Sequence, residues 1–178
     1  VVLAVVVPAG YYLASPLWTR TTLVEASPLA AAPTAVTPDA TTAATATTSP
    51  NASTSTPQNA TSDGTSDAAL PRTVLQGEWM GADDFHFARG RALVVETTPG
   101  TYVLRVEEFS VRNGPDLFVY ISADPNGYND DAIELGTLKA TDGAFNYEIP
   151  AGVSLEQIQS AVVWCKQFAV LFGSASLQ

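Results

Sequence analysis

Between Arg91 and Leu177 the large apolar side chains fall in short runs, many alternating with polar residues, and most runs are cut off by Gly, Pro, Asn or Asp. A period of two presents one face of a strand; it cannot present one stripe of a helix. Arg91–Glu96 reads as a strand ended by Thr97-Thr98-Pro99-Gly100. In the next run, 102–109, Tyr102, Leu104 and Val106 share one face, and Val103, Arg105 and Glu107 the other. Leu117–Ser122 is apolar on both faces, as a central strand is. Ile133–Leu138 is a short strand, Asp142-Gly143 carries the signal of a hairpin turn, and Phe145, Tyr147 and Ile149 point inward from the strand after it. Leu155–Ser160 suits a single helical turn. The longest apolar run, 161–172, reads as one strand bulged near Lys166-Gln167, followed by a short strand at Ser174–Leu177. No long 3.6-period segment competes. The expectation is an all-β domain over residues 72–178, an antiparallel β-sandwich or jelly-roll-like barrel.

The rest of the chain is different in kind. Residues 1–18 carry no charge, and their length approaches the roughly 20 residues a spanning helix requires. Tyr11, Tyr12 and Trp18 suit a membrane interface. Residues 1–19 are therefore expected to be a transmembrane or signal-anchor helix. A cleaved signal peptide and a buried element of the domain are the other readings. Of the 44 residues 27–70, 34 are Ala, Thr, Ser or Pro, and none is aromatic. Such a segment cannot bury enough surface to offset its backbone entropy, so a disordered linker is expected. Asn51-Ala-Ser53 and Asn59-Ala-Thr61 match the N-glycosylation sequon, a short pattern that so Ser/Thr-rich a segment also produces by chance. A stalk of this composition next to the apolar segment leads to the expectation that the domain faces the extracytoplasmic side of a cell membrane.

The formal charge of −10, with scattered Lys and Arg, argues against nucleic acid as a partner. Cations, neutral surfaces or other proteins are the partners left, and a membrane, through the N-terminal segment, and a cell-surface protein are expected. Cys165 is the single cysteine, so neither an internal disulfide nor a multi-thiolate zinc site can form. It reads either as an inert core residue or as a redox thiol, with Lys166 and the single histidine, His86, as the groups able to assist it. A lone thiol can also ligate haem iron. Trp164 and Lys166 would flank the thiol and point the other way. Asn113-Gly114-Pro115 is a turn with Asp116 beside it, where capping is the ordinary role. Asp124, Asn126, Asn129, Asp130 and Asp131 make an oxygen-rich loop, read either as solvated charge or as a calcium site without EF-hand spacing. Glu107 and Glu108, adjacent on a strand, face opposite ways and make a poor acid/base pair.

Several blocks occur in a fixed order: Phe85-His-Phe-Ala-Arg-Gly-Arg-Ala92, residues 102–109, Asn113-Gly-Pro-Asp-Leu-Phe-Val-Tyr120, Glu134-Leu-Gly-Thr-Leu-Lys139, Asn146-Tyr-Glu-Ile-Pro150 and Val162-Val-Trp-Cys-Lys-Gln-Phe168. Together they resemble the electron-transfer DM13 domain, found in bacterial surface proteins and beside DOMON domains in Skeletor-like animal proteins. The resemblance spans about residues 75–178, and the Asn-Gly-Pro-Asp-Leu and Trp-Cys blocks are its most specific parts. Arg89 stands where that family usually has a small residue. The resemblance implies a β-sandwich and a redox or electron-transfer role centred on Cys165, as a free thiol or as a ligand to a group such as haem. The competing expectation is a non-catalytic surface binding or adhesion module with a structural core cysteine. A Cys165–His86 enzyme is a third.

Overall fold

The computed structural model describes residues 19–30 and 71–178. The expected anchor, apart from Thr19, and the expected linker beyond Ala30 lie outside the described residues. Among the described residues no helix is long and apolar enough to cross a membrane.

Ten strands follow in chain order: β1 (Thr22–Val24), β2 (Arg72–Glu78), β3 (Met80–Gly81), β4 (Ala88–Thr98), β5 (Thr101–Val111), β6 (Leu117–Ser122), β7 (Ile133–Thr137), β8 (Asp142–Glu148), β9 (Ser160–Cys165) and β10 (Val170–Ser176). A 3₁₀ turn, Leu155–Gln157, precedes β9. The strands form two five-stranded sheets, ordered β1-β8-β5-β4-β2 and β3-β10-β9-β6-β7. Their inner faces share one core, with Val94, Leu104, Val106 and Phe145 from the first and Val119, Ile121, Val163 and Phe172 from the second. The period-two reading thus becomes a sandwich, because each strand buries one row of side chains against the facing sheet. Phe145, Tyr147 and Ile149 are all buried, as the alternation requires.

Five expectations are corrected. The run 161–172 is two strands: β9 ends at Cys165, Lys166–Ala169 reverses the chain, and β10 returns with Val170 opposite Cys165. No bulge lies at Lys166-Gln167, which belongs to that reversal; a register shift falls instead within β10, between Leu171 and Gly173. Asp142-Gly143 is not a turn; both residues lie in β8, opposite Ser110 and Phe109. Gly143 is needed there because its φ is +120° and a Cβ would stand 2.0 Å from the Leu23 carbonyl oxygen. That close approach admits β1, which pairs with β8 in parallel, so the first sheet is mixed and not purely antiparallel. Finally, the domain takes in Thr22–Val24 as well as 72–178, and the start of the expected linker turns back, with the Ala30 amide donating to the Ser27 carbonyl.

The ends of the sandwich are set by this topology. β1 and β8 start, β5 ends, β6 starts and β9 ends at one end, through the pairs Thr22↔Asp142, Ser110↔Asp142 and Leu117↔Cys165. Thr19 enters the fold there, its carbonyl accepting from Asn113 Nδ2 at 2.9 Å. At the opposite end lie the β4–β5 turn and the start of β2, with Arg72 opposite Glu96.

Candidate functional site

Cys165 closes β9 with its side chain in the shared core, flanked in register by Leu117 of β6 and Val170 of β10. It is 0% exposed. Four surface clefts lie against other residues, and none of these four borders it. A thiol in such surroundings behaves as a small apolar side chain. Reaction as a nucleophile requires both access and a group that favours the thiolate.

The two residues expected to assist are engaged elsewhere. The Lys166 ammonium lies 2.5 Å from Glu134 and 3.7 Å from the centroid of the Phe118 ring, on the outer face of the sheet. The bond to Glu134, against some desolvation, raises its pKa from the ordinary lysine value. His86 Nδ1 lies 2.7 Å from Asp83 Oδ2, and the backbone amides of Phe85 and His86 donate to Asp83 Oδ1 at 2.8 and 2.6 Å. These bonds, that of the imidazole foremost, hold the Asp83 carboxyl below its usual range. The His86 ring meets Phe172 edge-on at 4.6 Å. His86 therefore reaches the core through an aromatic ring, and no hydrogen bond joins it to Cys165.

The turn Asn113–Asp116 is brought directly to the thiol's strand. The Lys166 amide donates to the Asp116 carbonyl at 3.0 Å, one residue beyond the Leu117–Cys165 pair. Gly114 leaves room for its neighbours: a Cβ there would stand 2.8 Å from Phe172 Cζ and 3.1 Å from Leu117 Cδ2. Asn113 closes the turn, accepting from the Gly114 amide at 2.9 Å. Beside it Arg112 donates to the Phe85 carbonyl and lays its guanidinium 4.5 Å from the Phe85 ring centroid and 5.4 Å from that of Phe87. Three stretches far apart in sequence, 83–88, 112–117 and 164–170, thus meet at one end. A cleft of about 230 Å³ opens beside the turn, against Thr21, Leu138 and Thr141.

Haem does not fit this arrangement. An axial thiolate needs an open face for the porphyrin. Here the sulfur is enclosed by the core cluster, so a macrocycle would have to displace packed side chains.

The oxygen-rich loop spends its groups on its own folding. Asp124 Oδ1 accepts from the Asn126 amide at 2.8 Å, Ser122 Oγ donates to Asn129 Oδ1 at 3.2 Å, and Ser160 Oγ donates to the Asp124 carbonyl at 2.6 Å. No group of three acidic, His or Cys side chains suited to a metal occurs among the described residues. The loop carries Tyr128 over the outer face of the second sheet, stacked on Trp164 at 4.1 Å and 10° and edge-on to Tyr120 at 5.4 Å. The outward parity of Phe118, Tyr120 and Trp164 was readable from their strands. The arrival of Tyr128 from a loop was not.

A protein-family model described as electron transfer DM13 matches residues 82–177. No curated protein and no solved structure matches the chain. The matched range begins after β3, so β1, β2 and β3 lie outside it.

Proposed function

This chain belongs to the electron transfer DM13 family, a membership that suggests a redox-related role, and we propose that it is an extracytoplasmic redox domain held to a membrane by residues 1–19, with Cys165 as the group that exchanges electrons. The observation that carries this reading is the meeting of the 83–88, 112–117 and 164–170 stretches, all within the family-matched range, around the strand that ends in Cys165. A lone thiol limits the chemistry. It cannot close an internal disulfide, so exchange takes place with an external one. The Cys165 thiolate attacks one sulfur of a partner disulfide, forms a mixed disulfide, and expels the other sulfur as a thiolate. The burial of Cys165 adds a condition, that the Lys166–Ala169 turn must open first. Phe168 in that turn is 63% exposed, and Ala169 holds a φ of +52°, which costs about 1–2 kcal/mol in a residue with a Cβ.

The test is incubation of the full chain with glutathione disulfide in native buffer, followed by intact mass. A glutathione adduct on the wild type, absent from Cys165→Ala, is expected. No adduct under native conditions, with a full one in denaturant, overturns the reading. It would favour a second one, supported by the complete enclosure of the sulfur: a surface recognition module with a structural cysteine.

A further inference from the structure

The chain enters the fold at the end that carries the candidate site. Thr19 is bonded to Asn113, and the Arg20 guanidinium donates to Ser110 Oγ at 2.8 Å and to Asp142 Oδ2 at 2.9 Å. These bonds leave no free spacer between the uncharged segment 1–18 and the sandwich. One residue spans at most about 3.6 Å, so an anchor ending at Trp18 brings this end of the domain against the membrane surface. The expected linker does not intervene. It runs between β1 and β2, and the described residues that bracket it lie at the far end: Pro28 beside Val103 and Glu148, and Arg72 opposite Glu96.

Two of the five exposed large apolar side chains among the described residues lie at this end. Phe85 (51% exposed) and Phe168 flank the Asn113–Asp116 turn, Phe85 through Arg112 and Phe168 through the hydrogen bond that the Lys166 backbone amide donates to the Asp116 carbonyl. Exposed phenylalanine rings insert into the headgroup–acyl boundary of a lipid surface, and neighbouring arginine side chains reach back to the headgroups. The charges at this end nearly cancel, Arg20, Arg89, Arg112 and Lys166 against Asp83, Asp84, Asp116, Asp142 and the Glu134 carboxylate bonded to Lys166. Most of the formal charge of −10 therefore belongs to the rest of the chain.

We infer that the sandwich lies on the bilayer with the end bearing Phe85, Asn113–Asp116 and Phe168 turned toward the lipid headgroups, and with the β4–β5 turn and the start of β2 on the membrane-distal side. The inference rests on the tether proposed above and adds to it an orientation and a contact surface, whose occupant is a zwitterionic lipid surface. A redox partner of Cys165 would then meet it at the membrane plane.

The test uses the full chain reconstituted in phosphatidylcholine vesicles. Asp84→Cys and Gln167→Cys place a fluorescent label at the near end, and Thr98→Cys places one at the far end. Labelling is done under native conditions, with the wild-type chain as background for Cys165. Headgroup spin-labelled lipid is expected to quench the labels at 84 and 167 strongly and the label at 98 little. Replacing Phe85 and Phe168 by serine is expected to lower quenching at 84 and 167. Addition of anionic lipid is expected to leave the pattern unchanged. A chain that fails to float with the vesicles overturns the tether, and the orientation with it. A chain that floats but shows equal quenching at both ends, or more at 98, overturns the orientation alone.

Discussion

Replacing one atom at position 165 probes the enclosure of the thiol. Cys165→Ser keeps the shape nearly constant and turns a weakly polar sulfur into a hydroxyl. The register neighbours Leu117 and Val170 offer that hydroxyl only hydrocarbon side chains, and the nearby Asp116 carbonyl already accepts from the Lys166 amide. A buried hydroxyl without a partner costs about 1–3 kcal/mol, and the lost burial of the sulfur adds roughly 1 kcal/mol. The sum, about 2–4 kcal/mol, corresponds to a fall in Tm of roughly 8–16 °C for a domain of this size. Cys165→Ala removes the sulfur and leaves no orphan donor, so it should cost about half as much. Urea unfolding of the wild type and both variants, with equal slopes, measures the three stabilities. The expected order is wild type, then Ala, then Ser. A serine variant as stable as the alanine variant, or more so, would mean that a polar partner or water reaches position 165, and the enclosure argument would fail.

Three further outcomes follow from the first sheet. Gly143→Ala should expel β1, because the new methyl group would meet the Leu23 carbonyl at 2.0 Å; limited proteolysis near residues 19–30 should speed up while the remaining strands stay protected, and unchanged protection would contradict the close approach. Burial pushes the Asp142 carboxyl up, but bonds from Arg20, Thr141 and Ser110 outweigh that and hold it below its usual range. Its contribution, about 1 kcal/mol or less after screening of the half-exposed Arg20, is complete above the unfolded value near pH 4 and is lost as pH falls through the lower folded value; the stability gap between wild type and Asp142→Asn should therefore close in acid, and a constant gap would count against the pair. Tyr147→Phe removes the hydroxyl that accepts from the Lys139 amide at 3.0 Å and donates to the Thr137 carbonyl at 3.2 Å; it should cost about 1–2 kcal/mol in urea unfolding, with amide exchange speeding first between Thr137 and Lys139.

Alternation revealed the middle of the domain well, because a half-buried strand writes its two faces directly into the sequence. Leu117–Ser122 was readable to its ends, and the inward set Phe145, Tyr147 and Ile149 was correct. The reading failed where one signal serves two structures. Asp-Gly announces a turn, yet a glycine with positive φ is equally what a strand needs where a neighbouring backbone crowds it, as at Gly143. The Lys166–Ala169 reversal went unseen because it contains no Gly, Pro or Asn. β1 was missed because three residues are too few to show a period, and its partner lies about 120 residues away. Cys165, His86, Lys166 and Asn113–Asp116 were named individually from sequence, whereas Asp83 and Arg112, which hold the 83–88 stretch, were not. What was not legible was their geometry: Asn113–Asp116 adjoins the Cys165 strand, whereas His86 turns to Asp83 and Phe172.

The central claim is that Cys165 is enclosed but becomes reachable through the Lys166–Ala169 turn. Its most direct test is the rate of native-state alkylation of Cys165 in the wild type and in Ala169→Val. A β-branched residue at a φ of +52° strains the turn. An added cost of about 1–2 kcal/mol confined to the turn predicts alkylation roughly 5–30-fold faster, in a variant whose opening needs less denaturant-sensitive exposure than global unfolding does. If alkylation in both proteins simply follows global unfolding across a denaturant series, the turn is not a gate, and the sulfur serves the core alone.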